Sequence, residues 1–270
     1  MKFKRKFSLP GFLILLIMGI TIGAPILSPF DPNKIGVGLP FSGPSSSHLM
    51  GTDDLGRDLL ARVLYGGRIT IFIAIAATII ALVIGTLWGM IAGVQRGWLD
   101  EFLMRTADAT MAIPQILFAL VCISAVGASV VSLPIVVGIL LAPTTARMAR
   151  TAVVVELASD YVVAAIATGV KKSRLVFSEV LPNIAPQLLV QLSINVAAAV
   201  MTEASLSFIG LGIQPPNASW GTLMLQGYAK LWYTYWFVLF PAIAVTTTIL
   251  AFNAYGERIR VLLDSRKSSA

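Results

Sequence analysis

Few residues of this chain could do chemistry, and their spacing favours structural roles. One acidic group comprises His48, Asp53, Asp54 and Asp58. Imidazole and carboxylate groups can bind a metal ion, but a single histidine makes a weak ligand set. Because Arg57 and Arg62 stand beside the acidic residues, capping and salt bridging account for the group better, and no metal site is expected.

Catalysis is not expected either. A membrane enzyme needs a nucleophile, a base or metal ligands that converge. The only cysteine, Cys122, lies inside an apolar run and the only histidine lies outside such runs, so this requirement is not met and no intrachain disulfide can form. The sequence also has no G-x-x-x-x-G-K-[ST] loop for nucleotide phosphates. We therefore expect no catalytic residue and no cofactor bound by this chain.

A second group is polar rather than reactive. It consists of Gln187, Gln191, Asn195, Thr202 and Ser205. At about 100° per residue, these side chains fall within an arc of roughly 80° on one helix. Two interpretations stay open, since polar residues in a membrane helix line a translocation path or bond to neighbouring helices. Glu203 lies off this arc and is a hydrogen-bonded or snorkelling carboxylate, or part of a gating ion pair.

The elements that position these residues are membrane helices. Mean hydropathy is +0.84, and 57% of the residues are hydrophobic against 12% charged, which excludes an ordinary soluble domain. The sequence predicts an all-α integral membrane protein with six transmembrane helices. The six apolar runs are Leu9–Pro29, Ile69–Gly93, Ala109–Val126, Val130–Ala146, Pro186–Leu211 and Tyr235–Tyr255. Pro114, Pro134 and Pro143 are expected to kink the third and fourth.

Charge placement predicts an N-in/C-in orientation. With the N-terminus inside, 15 of the 20 lysines and arginines fall on cytoplasmic segments, in agreement with the positive-inside rule. The net charge of +7 therefore reflects the orientation of the chain in the membrane. Membrane lipid is the expected partner of these charges, and no nucleic-acid partner is expected. A cleaved signal peptide is the less favoured alternative, because the first apolar run is long for one.

The segment Ser159–Asn183 is a polar insert between two apolar runs, on the cytoplasmic side in this orientation. Ser159 or Asp160 is expected to cap a helix from Tyr161 to Thr168, which Gly169 ends in a left-handed conformation. Ser173 is expected to cap a second short helix that Pro182 ends. An insert of this kind is where a membrane protein contacts an aqueous partner.

Two outer segments carry turn and aromatic signals. In the first, residues 31–68, Asp53 or Asp54 is placed near a helix start and Gly66-Gly67 before the second span. In the second, residues 205–224, Gly210 and Gly212 are expected to break the fifth span. The aromatic residues Trp220, Trp232, Tyr233 and Trp236 favour interfacial anchoring over sugar or peptide binding.

Three segments together resemble one family. They are GTDDLGRDLLARVLYGGRIT (residues 51–70), the loop Ala164–Pro182, and SFIGLGIQPPNASWGTLM (residues 207–224). They are similar to the second, "C-type" inner-membrane permease of dipeptide, oligopeptide and nickel uptake systems, over about Ser47 to Asp264. Three positions depart from the family pattern. Val163 stands where the family's "EAA" triplet has an acidic residue, and Glu179 stands where the family has an apolar one. Asp264-Ser265 stands where the family often has Asp-Pro.

The resemblance implies a fold, partners and site residues. The fold is that of a type I ATP-binding-cassette (ABC) importer permease in a bacterial or archaeal plasma membrane. The implied partners are a second, homologous permease, two ATPase subunits that hold ATP and Mg, and an extracytoplasmic binding protein. The residues assigned to ATPase coupling are Asp160, Tyr161, Ala164, Ala165, Gly169, Ser173, Leu181 and Pro182.

Four segments follow from this assignment. They are residues 1–30, a tail with the first helix; 31–68, an extracytoplasmic loop; 69–256, the permease transmembrane domain with coupling loop 159–183; and 257–270, a cytoplasmic tail. The implied substrates are di- or oligopeptides, with nickel or a metal chelate as the alternative. A secondary transporter is the alternative of another class, and it would need an intramembrane charge relay or inverted repeats.

Overall fold

The computed structural model describes residues 9–267, without the side chains of residues 172, 173 and 264–267. In that range the chain is helical. The α-helices are α1 (Leu9–Ile22), α2 (Ala24–Leu27), α3 (Leu59–Gln95), α4 (Gly97–Ala112), α5 (Gln115–Val126), α6 (Ser132–Leu157), α7 (Asp160–Ala167), α8 (Lys172–Leu175), α9 (Leu181–Leu206), α10 (Trp220–Tyr228) and α11 (Trp236–Lys267). Two π-helical turns, Val176–Val180 and Ser207–Leu211, flank α9. The all-α prediction is confirmed for this part of the chain.

Four helices within residues 9–267 are long and apolar enough to cross a membrane. They span Leu59–Gln95, Ser132–Leu157, Val176–Leu211 and Trp236–Leu263. Helices α4 and α5 make a fifth candidate as a pair bent by 88°. Helix α1 is apolar but has only 14 residues. Against the six expected crossings, the described helices therefore support four, or five with the bent pair.

The bend between α4 and α5 divides the expected third span. It lies at Ile113 and Pro114, where Ile113 has extended backbone with φ −78° and ψ 130°. A residue that precedes proline is pushed into this conformation because the proline ring clashes with helical backbone. The kink expected at Pro114 is thus a break between two helices.

Helix α3 begins at Leu59, well before the expected start at Ile69. Its N-cap is Asp58, whose Oδ2 accepts a hydrogen bond of 2.8 Å from the backbone N–H of Ala61. The placement of the helix start at Asp53 or Asp54 was therefore wrong. An aspartate at the N-cap satisfies a backbone donor that has no partner within the helix.

The Gly66-Gly67 pair lies inside α3 rather than before it. At Gly67 the absence of a side chain leaves room for the ring of Trp220. A Cβ at Gly67 would stand 2.7 Å from Cζ2 of Trp220. The indole Nε1 of Trp220 donates to the Val63 carbonyl at 2.8 Å, and the side chain is 3% exposed. Trp220 is therefore a core residue, and its expected interfacial role was wrong.

Helices α3 and α6 form the centre of the fold through a row of small residues. Gly85, Gly89 and Gly93 repeat at every fourth position on one face of α3. A Cβ at Gly85 would lie 2.6 Å from the Ala142 carbonyl oxygen, and one at Gly89 would lie 2.3 Å from that of Ala146. Small residues at this spacing let two membrane helices approach at backbone distance.

The buried apolar side chains form two clusters. The larger one joins α3, α5, α6, α9, α10 and α11. The smaller one consists of Met90, Val153, Val176, Val180 and Ile184. These five residues come from α3, α6, the first π turn and α9, so the smaller cluster fixes the segment that follows α7 to the ends of three long helices.

Asp53 and Asp58, in the segment that precedes α3, are engaged within the chain. Asp53 is fully buried, and its Oδ2 accepts from Arg57 Nε and Arg62 Nη1, each at 2.5 Å. Asp58 also lies 2.9 Å from Nδ1 of His48. Buried carboxylates require partners of this kind. The contacts are the capping and salt bridging that the sequence suggested, and they fold residues 31–58 onto the start of α3.

Candidate functional site

Helix α7 is the short helix expected in the polar insert, and its end follows a defined pattern. It covers Asp160–Ala167. The N–H of Gly169 donates to the carbonyl of Ile166 at 3.0 Å, and that of Val170 donates to Ala165 at 3.2 Å. With φ +85° at Gly169, these bonds form a Schellman motif. The left-handed end expected at Gly169 is present.

The start of α7 is fixed to the long helices by three polar side chains. The Tyr161 hydroxyl donates to Oε1 of Glu156 at 2.5 Å. Nδ2 of Asn183 donates to the Tyr161 oxygen at 2.7 Å and to Oε1 of Glu156 at 3.0 Å. Burial, followed by the bond to Glu156, raises the pKa of Tyr161 above its ordinary value.

Sequence reasoning identified Tyr161 but missed two of its partners. Glu156 falls near the end of α6, which continues to Leu157 rather than ending at Ala146. Asn183 served only as the boundary of the insert. An acid and an amide on either side of an aromatic residue were the available signal, but their proximity depends on how α6 and α9 pack.

The exposed side of this region carries several large apolar side chains. Within α7, Val162 is fully buried, whereas Val163 is 54% exposed. Phe177, in the π turn that follows, is 63% exposed. The other large apolar side chains exposed here are Tyr161, Ile166 and Val170. Ala164 is exposed and Ala165 is half-buried. Within the described residues nothing covers this surface, which we call the α7 face.

The second half of the insert differs from the sequence prediction. Helix α8 starts at Lys172, one position before Ser173, whose side chain lies outside the described residues. Pro182 does not end a helix, because the helix runs from Val176 to Leu211. The N–H of Leu181 reaches back to the carbonyl of Val176. This π turn accommodates a proline, which has no N–H and crowds a regular helix.

Leu181 and Pro182 therefore begin α9 rather than end the insert. Leu181 is half-buried and packs against the smaller cluster, while Pro182 is exposed. Asp160 is exposed in the first turn of α7, where a negative charge is favourable. The residues assigned to coupling thus lie mainly on α7 and at the start of α9. Hydrogen bonds among Glu156, Tyr161 and Asn183 connect these two helices.

The polar stripe of α9 is divided between buried and half-buried positions. Asn195 is 1% exposed, and its Nδ2 donates to Oγ1 of Thr145 on α6 at 2.9 Å. Nε2 of Gln191 donates to Oδ1 of Asn195 at 2.8 Å. Thr202 is buried as well. Asn195 thus makes an interhelix contact of the kind that one of the two interpretations predicts, while the bond of Gln191 stays within α9.

The remaining two positions face a more open side of α9. Gln187 and Ser205 are half-buried, and Ser205 bonds to the Met201 carbonyl of its own helix at 2.8 Å. Oε1 of Gln187 has no hydrogen-bond partner among the described residues. Ile194 and Met201, on the same side, are 45% and 60% exposed. This side of α9 is open to a partner, to lipid or to a path.

Glu203 is fully buried near the C-terminal end of α9. Its Oε1 accepts from the Ser207 hydroxyl at 2.6 Å, and the hydroxyls of Ser219 and Thr70 lie close by. No lysine or arginine among the described side chains pairs with it. A hydrogen-bonded carboxyl that joins α9 to α3 and to the start of α10 describes it better than a gating ion pair.

Comparison with known proteins agrees with this architecture. Residues 85–269 match the family described as "Binding-protein-dependent transport system inner membrane component". A putative peptide transport system permease protein of Brucella suis is 37% identical over 97% of this chain and 88% of its own. The oligopeptide transport system permease protein OppC of Bacillus subtilis is 37% identical over 97% and 86%.

A solved structure shares the fold. A chain of the MetNI methionine ABC transporter, in an inward-facing conformation, superposes with a TM-score of 0.61 at 19% identity, over 75% of this chain and 95% of that one. The family match and the two relatives confirm the resemblance found in the three sequence segments. This chain belongs to the inner-membrane permease components of binding-protein-dependent ABC importers.

Proposed function

We propose that this permease forms half of the translocation path of a peptide importer. The observation that carries the substrate class is the 37% identity, over 97% of the chain, to proteins named as peptide and oligopeptide permeases. The other half of the path comes from a second, homologous permease. Two ATPase subunits bind below, and an extracytoplasmic binding protein delivers di- or oligopeptides from above.

The α7 face supports the ATPase part of this proposal. It exposes Val163, Ile166 and Phe177 in a segment that polar groups and the smaller cluster hold in place. Apolar surface is costly to leave in water and marks protein interaction sites. An ATPase that binds here could displace the segment, and Val176 and Val180 would transmit that displacement to α3 and α6.

The open side of α9 supports the path. Gln187 and Ser205 are half-buried there, beside the exposed Ile194 and Met201, so two polar side chains lie on a side of α9 that the described chain leaves partly uncovered. Polar side chains in a membrane helix face protein or a water-filled path rather than lipid. Asn195 and Thr202 then support this wall through contacts inside the protein.

The path is tested with the complete reconstituted complex in a Cys122→Ser background. A charged thiol reagent should modify Gln187→Cys, and ATP-driven uptake of labelled dipeptides or oligopeptides should then fall to near background. The matched control is Val196→Cys on the same helix, which is 2% exposed and about 180° away. Its buried thiol should react slowly.

Two results would count against the proposal. Absence of peptide uptake by the unmodified complex would exclude the substrate class. Equal reactivity of the two cysteines, or full uptake after complete modification of Gln187→Cys, would exclude this side of α9 as path wall.

The proposed orientation places both termini and the α7 face in the cytoplasm, as the distribution of basic residues indicates. In intact cells, an impermeant thiol reagent should label a cysteine at the exposed Ser45 and leave one at the exposed Ser178 unlabelled. Lysis should make Ser178→Cys reactive, which controls for its accessibility. Labelling of Ser178→Cys before lysis would reverse the orientation.

A further inference from the structure

Two cavities adjoin at the outer end of α3. One lies between α1 and α3 and has a volume of about 490 Å³, with walls that are mainly apolar. Met18, Ile22, Phe72 and Ile75 contribute to it. The second has a volume of about 350 Å³ and a mixed polar lining. Arg68 and Ile69 line both cavities, so together they form one groove with an apolar and a polar half.

The groove lies at the boundary of the membrane. Arg68 is the last charged residue before the stretch 69–95, which carries no charge. At about 1.5 Å per residue this stretch is roughly 40 Å long, enough to cross a hydrocarbon core of about 30 Å. Arg68 therefore lies at the level of lipid phosphate groups, with the apolar half of the groove running toward the hydrocarbon from it.

The charges of the polar half have a definite order. The Arg68 guanidinium is exposed and stands 5.6 Å from the centre of the Tyr65 ring. No carboxylate among the described side chains forms an ion pair with it, whereas the charge of Arg62 is matched by Asp53. Asp31 is exposed on the wall of the polar half. A positive group thus lies at the neck and a negative group lies beyond it.

We propose that this groove binds phosphatidylethanolamine. An acyl chain fills the cavity between α1 and α3, the phosphate binds Arg68, and the ammonium group lies toward Asp31. Arginine suits a phosphate because its planar guanidinium can donate two hydrogen bonds at once. A headgroup without an amine leaves Asp31 without a counter-ion, so phosphatidylglycerol is the poorer ligand.

The test uses the full chain, purified with the subunits that accompany it from nanodiscs of equal phosphatidylethanolamine and phosphatidylglycerol. Native mass spectrometry should show retained phosphatidylethanolamine in excess of phosphatidylglycerol. Arg68→Gln removes a charge-assisted contact and should weaken retention about tenfold. Ile22→Trp should also lower it, because the larger side chain fills the groove from an exposed position on α1. Arg105→Gln is the control, since it removes an exposed arginine outside the groove.

A photo-reactive benzophenone residue at Phe72, which is 56% exposed, separates the competing occupants. A cross-link that adds the mass of a phospholipid supports the proposal. A cross-link to another permease chain would overturn it, because the groove would then be a subunit interface. Unchanged retention in both Arg68→Gln and Ile22→Trp, or an excess of phosphatidylglycerol, would overturn it as well.

Discussion

Gly169→Val is expected to abolish transport while leaving insertion into the membrane intact. Gly169 has φ +85°, a conformation that costs an ordinary residue about 1–2 kcal/mol and is worse for a β-branched one. Helix α7 has eight residues, so a change at its last turn alters the direction in which the following chain leaves. The α7 face would lose its shape, and ATPase subunits should no longer copurify.

The matched control for this change is Gly169→Asn, since asparagine tolerates the left-handed conformation better than other non-glycine residues. Apart from its own chain neighbours, a Cβ at Gly169 would meet no atom of the described chain within 4 Å, so the two variants differ mainly in backbone preference. The asparagine variant should keep most transport. If the valine variant transports normally, or if both variants fail equally, the role assigned to this turn is wrong.

The second large effect is expected at the α3–α6 contact. A methyl group at Gly89 would lie 2.3 Å from the carbonyl oxygen of Ala146 and 2.7 Å from the backbone nitrogen of Arg150. Backbone atoms cannot rotate away as a flexible side chain does, so the helices must separate. Gly89→Ala should lower the free energy of unfolding by about 2–3 kcal/mol.

Thermal unfolding of the purified protein in detergent measures this loss. Gly19→Ala on α1 is the control, because a Cβ there meets no described atom within 4 Å beyond its chain neighbours and the local backbone of its own helix. That change should be neutral or slightly stabilising, since alanine favours helix over glycine by about 1 kcal/mol. Similar unfolding temperatures for the two variants would show that the row of glycines in α3 does not determine the helix spacing.

Local signals in the sequence predicted local structure well. The left-handed turn at Gly169 and the break at Pro114 follow from the backbone preferences of single residues. The apolar runs of α3, α6, α9 and α11 follow from composition over about 20 residues. In each case, the physical cause lies within the segment that carries the signal.

What the sequence could not supply depends on contacts between distant segments. The sequence around Trp220 suggests an interfacial anchor, but in the structure its indole bonds to the Val63 carbonyl inside the protein. Pro182 suggests a helix end, but the π turn before it lets the helix continue. Asn195 belongs to a polar stripe by helical angle, yet Thr145 on another helix determines that it is buried. Periodicity identifies which side chains share a face, but packing determines what that face meets.

The separation of the two apolar clusters has a mechanical consequence. The smaller cluster groups the segment after α7 with the ends of α3, α6 and α9, apart from the main core. Units with separate cores open independently, and their backbone amides exchange hydrogen at different rates. The segment around Val176 and Val180 should thus move as one unit with the adjoining helix ends, and its amides should exchange separately from those of the main core.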